Sequence, residues 1–115
     1  MNTKIVCNQH IWFTVSLIYE MDINNQKITN DGSWEESILL IDALSSEDAI
    51  EKAILLGKKK EIEYSNSYNE HCQWRFIGVA NCYQILDEEI GEGCEVFSRF
   101  LRPEEGKSLL TPFES

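Results

Sequence analysis

The 115-residue sequence has no long apolar run, few basic residues and few cysteines. No stretch approaches the roughly 20 consecutive apolar residues that a membrane-spanning helix needs. The first ten residues, MNTKIVCNQH, contain one lysine and lack the long apolar region of a secretory signal. The sequence therefore predicts a soluble cytoplasmic protein that makes no contact with membranes.

The sequence contains 10 lysines and arginines and 20 acidic residues, so its formal net charge is -10. The only basic cluster, Lys58 to Lys60, is followed at once by Glu61 and Glu63. A negative surface potential repels phosphate backbones, so the composition argues against nucleic acid as a partner. Two interpretations of the acidity remain: solubility, or complementarity to a basic protein such as a nuclease.

Four cysteines are too few for a disulfide scaffold in a chain this rich in core residues, and we expect reduced thiols. A zinc site has one argument in its favour. Cys7 and His10 have a C-x-x-H spacing, and His71 with Cys72 would supply a second pair. Neighbouring His and Cys side chains seldom both reach one ion, however, so we predict no metal and no cofactor.

Motifs of catalysis are also missing, since the chain has no glycine-rich phosphate loop, no G-x-S-x-G and no H-E-x-x-H. Nucleophilic catalysis needs a base within reach, and His10 and His71 are the only histidines. Consecutive side chains of a strand point to opposite faces, which separates His71 from Cys72. The sequence predicts no catalytic residues and a protein that is not an enzyme.

What the sequence does contain is a pattern of two strand pairs separated by one helix. Residues 11–20 alternate as a half-buried strand does, and a polar stretch leads to a second, more apolar strand at 34–44. Strands at 74–86 and 94–101 flank an acidic turn and predict a second hairpin. The core side of the first strand consists of Ile11, Phe13, Val15, Leu17 and Tyr19.

The helix between the hairpins has the clearest local signals. Ser45 or Ser46 is suited to cap it, and small or apolar residues then recur at helical spacing. We expect this helix to continue past Gly57, because Ile62 and Tyr64 extend the apolar pattern. The members of its apolar face are Ala49, Ile50, Ala53, Ile54 and Gly57.

These elements predict one domain over residues 1–115, with a core at 11–102 and a tail at 103–115. The expected fold class is α+β, a two-layer sandwich of β-β-α-β-β order with one helix across one face. A right-handed crossover places the strands of the four-stranded antiparallel sheet in the order 2-1-3-4. The other sheet face carries apolar side chains, which indicates a binding surface or dimer interface unless the termini cover it.

Strand 74–86 interleaves polar residues with apolar ones. Alternation places Trp74, Phe76, Gly78, Ala80 and Cys82 on one face. Because both residues are small, Gly78 and Ala80 are expected to let the helix pack closely against this strand. Arg75 and Asn81 share the opposite face with Tyr83 as a polar site on the sheet, where Arg75 is expected to pair with Glu95 or another acid across the hairpin.

Four segments resemble a family of small bacterial domains of unknown function: WFTVSLIYE, WEESILLIDALSSEDAIEKAILLGK, WRFIGVANCYQI and GCEVFSRFLR. They contain a W-[FY]-x-V-S-L-[IV]-Y start, a helix of the S-x-E-x-A form and an F-x-G-V-x-N-x-Y strand. The resemblance covers residues 11–102 and implies a common fold and a bacterial source, but no activity. By analogy, small acidic bacterial domains of this kind are suspected to be immunity proteins of toxin systems.

The leading functional hypothesis is an immunity protein that binds a cognate, basic, nuclease-like toxin. Trp34 is the expected aromatic anchor, and the expected acidic contacts are Glu35, Glu36, Asp87, Glu88, Glu89, Glu92 and Glu95. The alternative is a structural or regulatory domain that forms a homodimer through the open sheet face, with or without a small ligand.

Overall fold

A computed structural model of the chain describes residues 11–24, 26–27, 33–87 and 89–111. No helix in these ranges is long and apolar enough to cross a membrane. In chain order the elements are β1 (Ile11–Ile23), β2 (Gln26–Lys27), β3 (Trp34–Ala43), α1 (Ser46–Lys59), β4 (Ile62–Ser65), β5 (His71–Gln84) and α2 (Pro103–Leu110).

The fold is α+β, as predicted, and every strand pairing in the described part of the chain is antiparallel. β1 lies in the middle, with β3 and the short β2 on one edge and β5 on the other. β4 pairs with the outer edge of β5. If β1, β3, β4 and β5 are counted as strands one to four, their order is 2-1-4-3. The predicted order 2-1-3-4 is therefore wrong, although the first hairpin and the contact between β1 and β5 are confirmed.

The first cause of this difference is the end of α1. The helix passes Gly57, as predicted, but it stops at Lys59 and does not include Ile62 and Tyr64, and the Lys60 N–H donates to Gly57 O at 3.1 Å. Consecutive lysines favour a helix end, where the backbone dipole is negative. Ile62 and Tyr64 are two residues apart, a spacing that also suits a strand, and they lie in β4.

The second cause lies after β5. Residues 94–101, predicted as the last strand, form no strand and are held instead by side chains: Thr14 Oγ1 donates to Val96 O at 2.6 Å. The predicted tail contains α2, which begins with Pro103. Its third residue, Glu105, accepts the Arg102 N–H at 2.8 Å, so α2 has the proline and acidic signals of a helix start that the prediction overlooked.

The core forms between α1 and one face of the sheet. On β1 the predicted inward side chains Phe13, Val15, Leu17 and Tyr19 are buried. Gly57 permits the closest approach of α1, since a Cβ there would lie 2.8 Å from Leu17 Cδ1. The Tyr19 hydroxyl also donates to Gly57 O at 2.7 Å, which ties the last turns of α1 to β1.

β5 contains two register shifts against β1, and each adds one residue to β5. Ala80 and Ile77 are the extra residues, and each one inverts the alternation of the strand. As a result Val79 packs on the core while Gly78 lies on the opposite face. A Cβ at Gly78 would meet nothing within 4 Å, so the predicted close packing of the helix on Gly78 and Ala80 is wrong.

Of the two serines predicted as the cap of α1, Ser45 is the one that caps it. Its Oγ accepts the Asp48 N–H at 3.1 Å, and its backbone is extended, with φ -160° and ψ 171°. The Asp48 carboxylate in turn accepts the Leu44 N–H at 3.0 Å. These reciprocal bonds fix the direction in which the chain enters α1.

Replacement of Ser45 by alanine is expected to lower the free energy of unfolding by about 1 kcal/mol, because the Asp48 N–H loses its acceptor. Chemical denaturation measures the change. Ser46→Ala, one position into the helix, is the control, with an expected change within about 0.5 kcal/mol. Equal losses in the two variants would contradict the assignment of Ser45 as the cap.

Candidate functional site

The segment that follows β5, residues 87–95, forms an acidic loop around a concavity. The structure brings Asp87, Glu89 and Glu92 together around a cavity of about 400 Å³. Gly91, Gly93 and Cys94 complete its lining. Glu88, also predicted for partner binding, lies outside the described residues.

Hydrogen bonds hold this acidic loop in shape. The Glu95 N–H donates to Asp87 Oδ2 at 3.2 Å, and the Cys94 N–H donates to Gly91 O at 3.0 Å. Gly93 has a φ of +87°, which favours glycine over any other residue. The Tyr83 hydroxyl donates to the Glu95 carboxylate, and this bond fastens the loop to β5.

The loop changes the acidity of two side chains at its border. Loss of solvent, followed by the hydrogen bond and charge of Asp87, raises the pKa of the Cys94 thiol. The hydrogen bond to Glu95 is the largest cause of the raised pKa of Tyr83. Both groups therefore stay protonated at neutral pH, and Cys94 is not a thiolate nucleophile.

No lysine or arginine among the described residues forms an ion pair with the carboxylates of the acidic loop. In contrast, Asp48 is paired with Lys52, and Glu105 with Arg102. The negative charge of the loop is thus uncompensated within the described parts of the chain. A concavity of this kind can accept the basic side chain of another molecule.

Trp34, Glu35 and Glu36 lie at the start of β3, away from the acidic loop. Alternation directs Trp34 and Glu36 to the sheet face opposite α1, while Glu35 lies on the α1 side. Trp34 pairs with Glu20 of β1, whereas the segment after the loop contacts Thr14. Six residues of strand separate Glu20 from Thr14, about 20 Å. The predicted partner-binding residues therefore form two separate groups.

Arg75 and Asn81 lie on the sheet face opposite α1, as predicted, across from Glu20 and Ser16 of β1. Two bulges of β5 lie between them. Their partners on β1 are four positions apart, which corresponds to about 13 Å. They share a face but do not converge on one point.

The partner of Arg75 is not Glu95, because β5 pairs with β1 rather than with residues 94–101. Arg75 Nε lies 2.6 Å from Asp22 Oδ2, and Arg75 Nη2 lies 3.9 Å from Glu20 Oε1. Both carboxylates are buried. Within the described residues, neither Arg75 Nε nor Asp22 Oδ1 has a hydrogen-bond partner, so the contact is an ion pair of imperfect geometry. Arg75 therefore neutralises buried charge, a role that strand alternation on β1 and β5 alone did not indicate.

A second cavity, of about 320 Å³, lies on the α1 side of the sheet, beyond the end of the helix. Burial, with the charges of Glu61 and Glu35, raises the pKa of Tyr19 at its base. The prediction missed this cavity because it extended α1 over the same region. The lining side chains are Tyr19, Glu35, Ser37, Lys60, Ile62 and Trp74.

The residues considered for zinc do not come together in the described structure. Cys7 and His10 lie outside the described residues. His71 is exposed and its Nε2 is 3.3 Å from Glu63, whereas Cys72 is buried. In the described part of the chain, no three His, Cys, Asp or Glu side chains are placed so that they could hold one metal ion. Cys72, Cys82 and Cys94 are free thiols.

The fold defines a small acidic α+β domain with a curled antiparallel sheet and one helix on its core face. The chain belongs to the family described as a domain of unknown function (DUF4288), which matches residues 12–98. This match confirms the resemblance to a family of unknown function. No curated protein and no solved structure matches the chain.

Proposed function

We propose that this chain is a cytoplasmic, non-catalytic binding protein whose acidic loop binds a basic protein. The most concrete form of the proposal is a bacterial immunity protein that neutralises a cognate, nuclease-like toxin. The observation that carries it is the acidic loop, in which Asp87, Glu89 and Glu92 surround one cavity without a cation from the described residues.

The electrostatics favour such a partner. A lysine or arginine that enters the cavity would form charge-assisted hydrogen bonds with several carboxylates. The net charge of -10 would also steer a basic protein toward the surface and raise its association rate. A nuclease is basic where it binds its substrate, so the same surface that binds nucleic acid would bind the loop.

The surroundings of two side chains support a role without catalysis. Loss of solvent and Asp87 raise the pKa of the Cys94 thiol, which stays protonated, and His71 Nε2 lies 3.3 Å from the Glu63 carboxylate. Nucleophilic catalysis would need a thiol or hydroxyl activated by a neighbouring base.

Charge reversal in the acidic loop tests the proposal. We expect Glu89→Lys with Glu92→Lys to weaken binding of the toxin encoded by the adjoining gene by about 10- to 100-fold, because attractive pairs become repulsive. Glu89 and Glu92 are exposed, so the fold should tolerate the change. Calorimetric titration at low and high salt measures the affinity, which salt should weaken in the wild type.

The matched control is Glu51→Lys with Glu104→Lys, which alters the net charge equally but lies on α1 and α2. This control should retain most of the affinity and should protect bacteria from the toxin. Equal loss in both double variants would show that net charge, rather than the loop, decides binding. A neighbouring gene that encodes no toxin, or a lack of protection in growth assays, would refute the immunity role.

A further inference from the structure

The C-terminal arm, residues 99–111, projects from the body of the protein. α2 contacts no other described helix or strand. Phe100 is fully exposed, and Leu110 is 84% exposed. The arm also lies beyond residues 12–98, the part of the chain that the family match covers.

An arm of this kind needs something to pack against. An isolated helix of eight residues is marginal in water, even when its first turn is capped. Packing of apolar side chains, which supplies most helical stability in proteins, is missing for Leu109 and Leu110 within the described structure. Among the residues that the structure describes, these side chains therefore have no apolar surface to pack against.

Among the described residues, an apolar stripe on β3 has a matching character. Trp34, Ile38 and Leu40 lie on the sheet face opposite α1, and about half or more of each side chain is exposed. The stripe is about 20 Å long, since strand residues rise about 3.3 Å each. α2 is about 12 Å long, and Phe100 and Leu101, which precede it, lengthen the apolar segment of the arm.

The charges also match. The arm has Arg99, Arg102 and Lys107 against Glu104 and Glu105, so it is net positive in a chain of charge -10. The β3 stripe contains the exposed Glu36 between Trp34 and Ile38. A basic arm thus fits an apolar stripe that has an acidic residue within it.

From these observations we infer that two copies of this chain exchange their C-terminal arms, each arm packing on the β3 stripe of the other copy. A reciprocal exchange is closed and symmetric, so it produces a dimer rather than a filament. It forms each contact twice, and a stable interface buries roughly 1,200 to 2,000 Å² in total. This inference goes beyond the proposed function, because it uses neither the acidic loop nor a toxin.

Sedimentation across a range of concentrations tests the exchange. The wild type is expected to be a dimer, and Phe100→Asp or Leu110→Asp should raise the dimer dissociation constant at least 100-fold, because a charge would have to be buried. Tyr68→Asp is the matched control: Tyr68 is 83% exposed in the turn between β4 and β5 and should leave the dimer intact.

Complementation tests where the arm binds. Ile38→Asp, or Leu40→Gln if the first variant unfolds at a lower denaturant concentration, should also abolish the homodimer. A mixture of Phe100→Asp and Ile38→Asp chains keeps one intact arm and one intact stripe, so it should form a heterodimer. A homodimer of the Ile38→Asp and Leu40→Gln chains would show that the arms contact each other or another surface.

Salt separates this inference from the proposed function. Apolar contacts dominate the exchange, and screening weakens both the local attraction of the arm and the repulsion between two negative copies, so salt should change the dimer little, whereas it should weaken a complex with a basic toxin. A wild type that stays monomeric at every concentration would overturn the exchange, whether its arm is free, folded onto its own stripe or bound to another protein. That result would leave the acidic-loop proposal standing.

Discussion

Leu17→Ala is expected to lower the free energy of unfolding by about 3 to 5 kcal/mol. Leu17 is fully buried in the middle of β1, directly below the helix. Its Cδ1 atom fills the space that a side chain at Gly57 would need. Because Gly57 has no side chain with which to fill the cavity, the site collapses poorly and the loss should lie near the upper end.

Chemical denaturation of Leu17→Ala measures this loss, and Leu44→Ala is the control. Leu44 is 77% exposed after β3, so its truncation should change stability by less than about 0.5 kcal/mol. A second test adds Gly57→Ala to Leu17→Ala. The added methyl group would clash with Leu17 Cδ1 in the wild type, but it would fit the cavity that Leu17→Ala leaves. A Leu17→Ala loss below about 2 kcal/mol would contradict the packing of α1 on β1.

Arg75→Met is expected to have the second largest effect, a loss of about 2 to 3 kcal/mol. Removal of one partner from a buried ion pair costs about 3 to 5 kcal/mol, and Arg75 is 39% exposed, so solvent reduces the figure. The reason is that the buried Glu20 and Asp22 carboxylates would be left without their paired cation.

A double-mutant cycle with Asp22→Asn isolates the pair. Asp22→Asn in the Arg75→Met background should recover part of the lost stability, because one unpaired charge disappears. Denaturation midpoints of the four chains measure the coupling. Additive losses would mean that Arg75 stabilises the fold in some other way. A rescued double variant that no longer binds its partner would assign Arg75 a binding role as well.

Local signals in the sequence were sufficient for several elements. Strict alternation from Ile11 to Tyr19 predicted β1 and its buried side chains, because period-two alternation is the signature of a half-buried strand. Ser45 and the small residues of α1 predicted the capped helix and its inward face, since both signals lie within a few residues of one another.

Other features depended on contacts between distant residues. Spacing alone could not separate a longer α1 from the short β4, because Ile62 and Tyr64 satisfy both patterns. The bulges at Ala80 and Ile77 arise from the fit of β5 to β1, and they leave no mark in the composition of β5. The start of α2 at Pro103 was predictable, but its lack of contact with the other described helix and strands did not follow from the sequence.

The sequence by itself determined the class of the fold, the central hairpin of β1 and β3, the helix that covers it and the acidic character of the surface. These properties follow from periodicity and charge, which act locally. Only the tertiary structure decided the strand order, the faces of β5 and the partners of Arg75. It also divided the acidic residues into two groups and left the C-terminal arm exposed, because each of these depends on which distant backbones pair and where each helix ends.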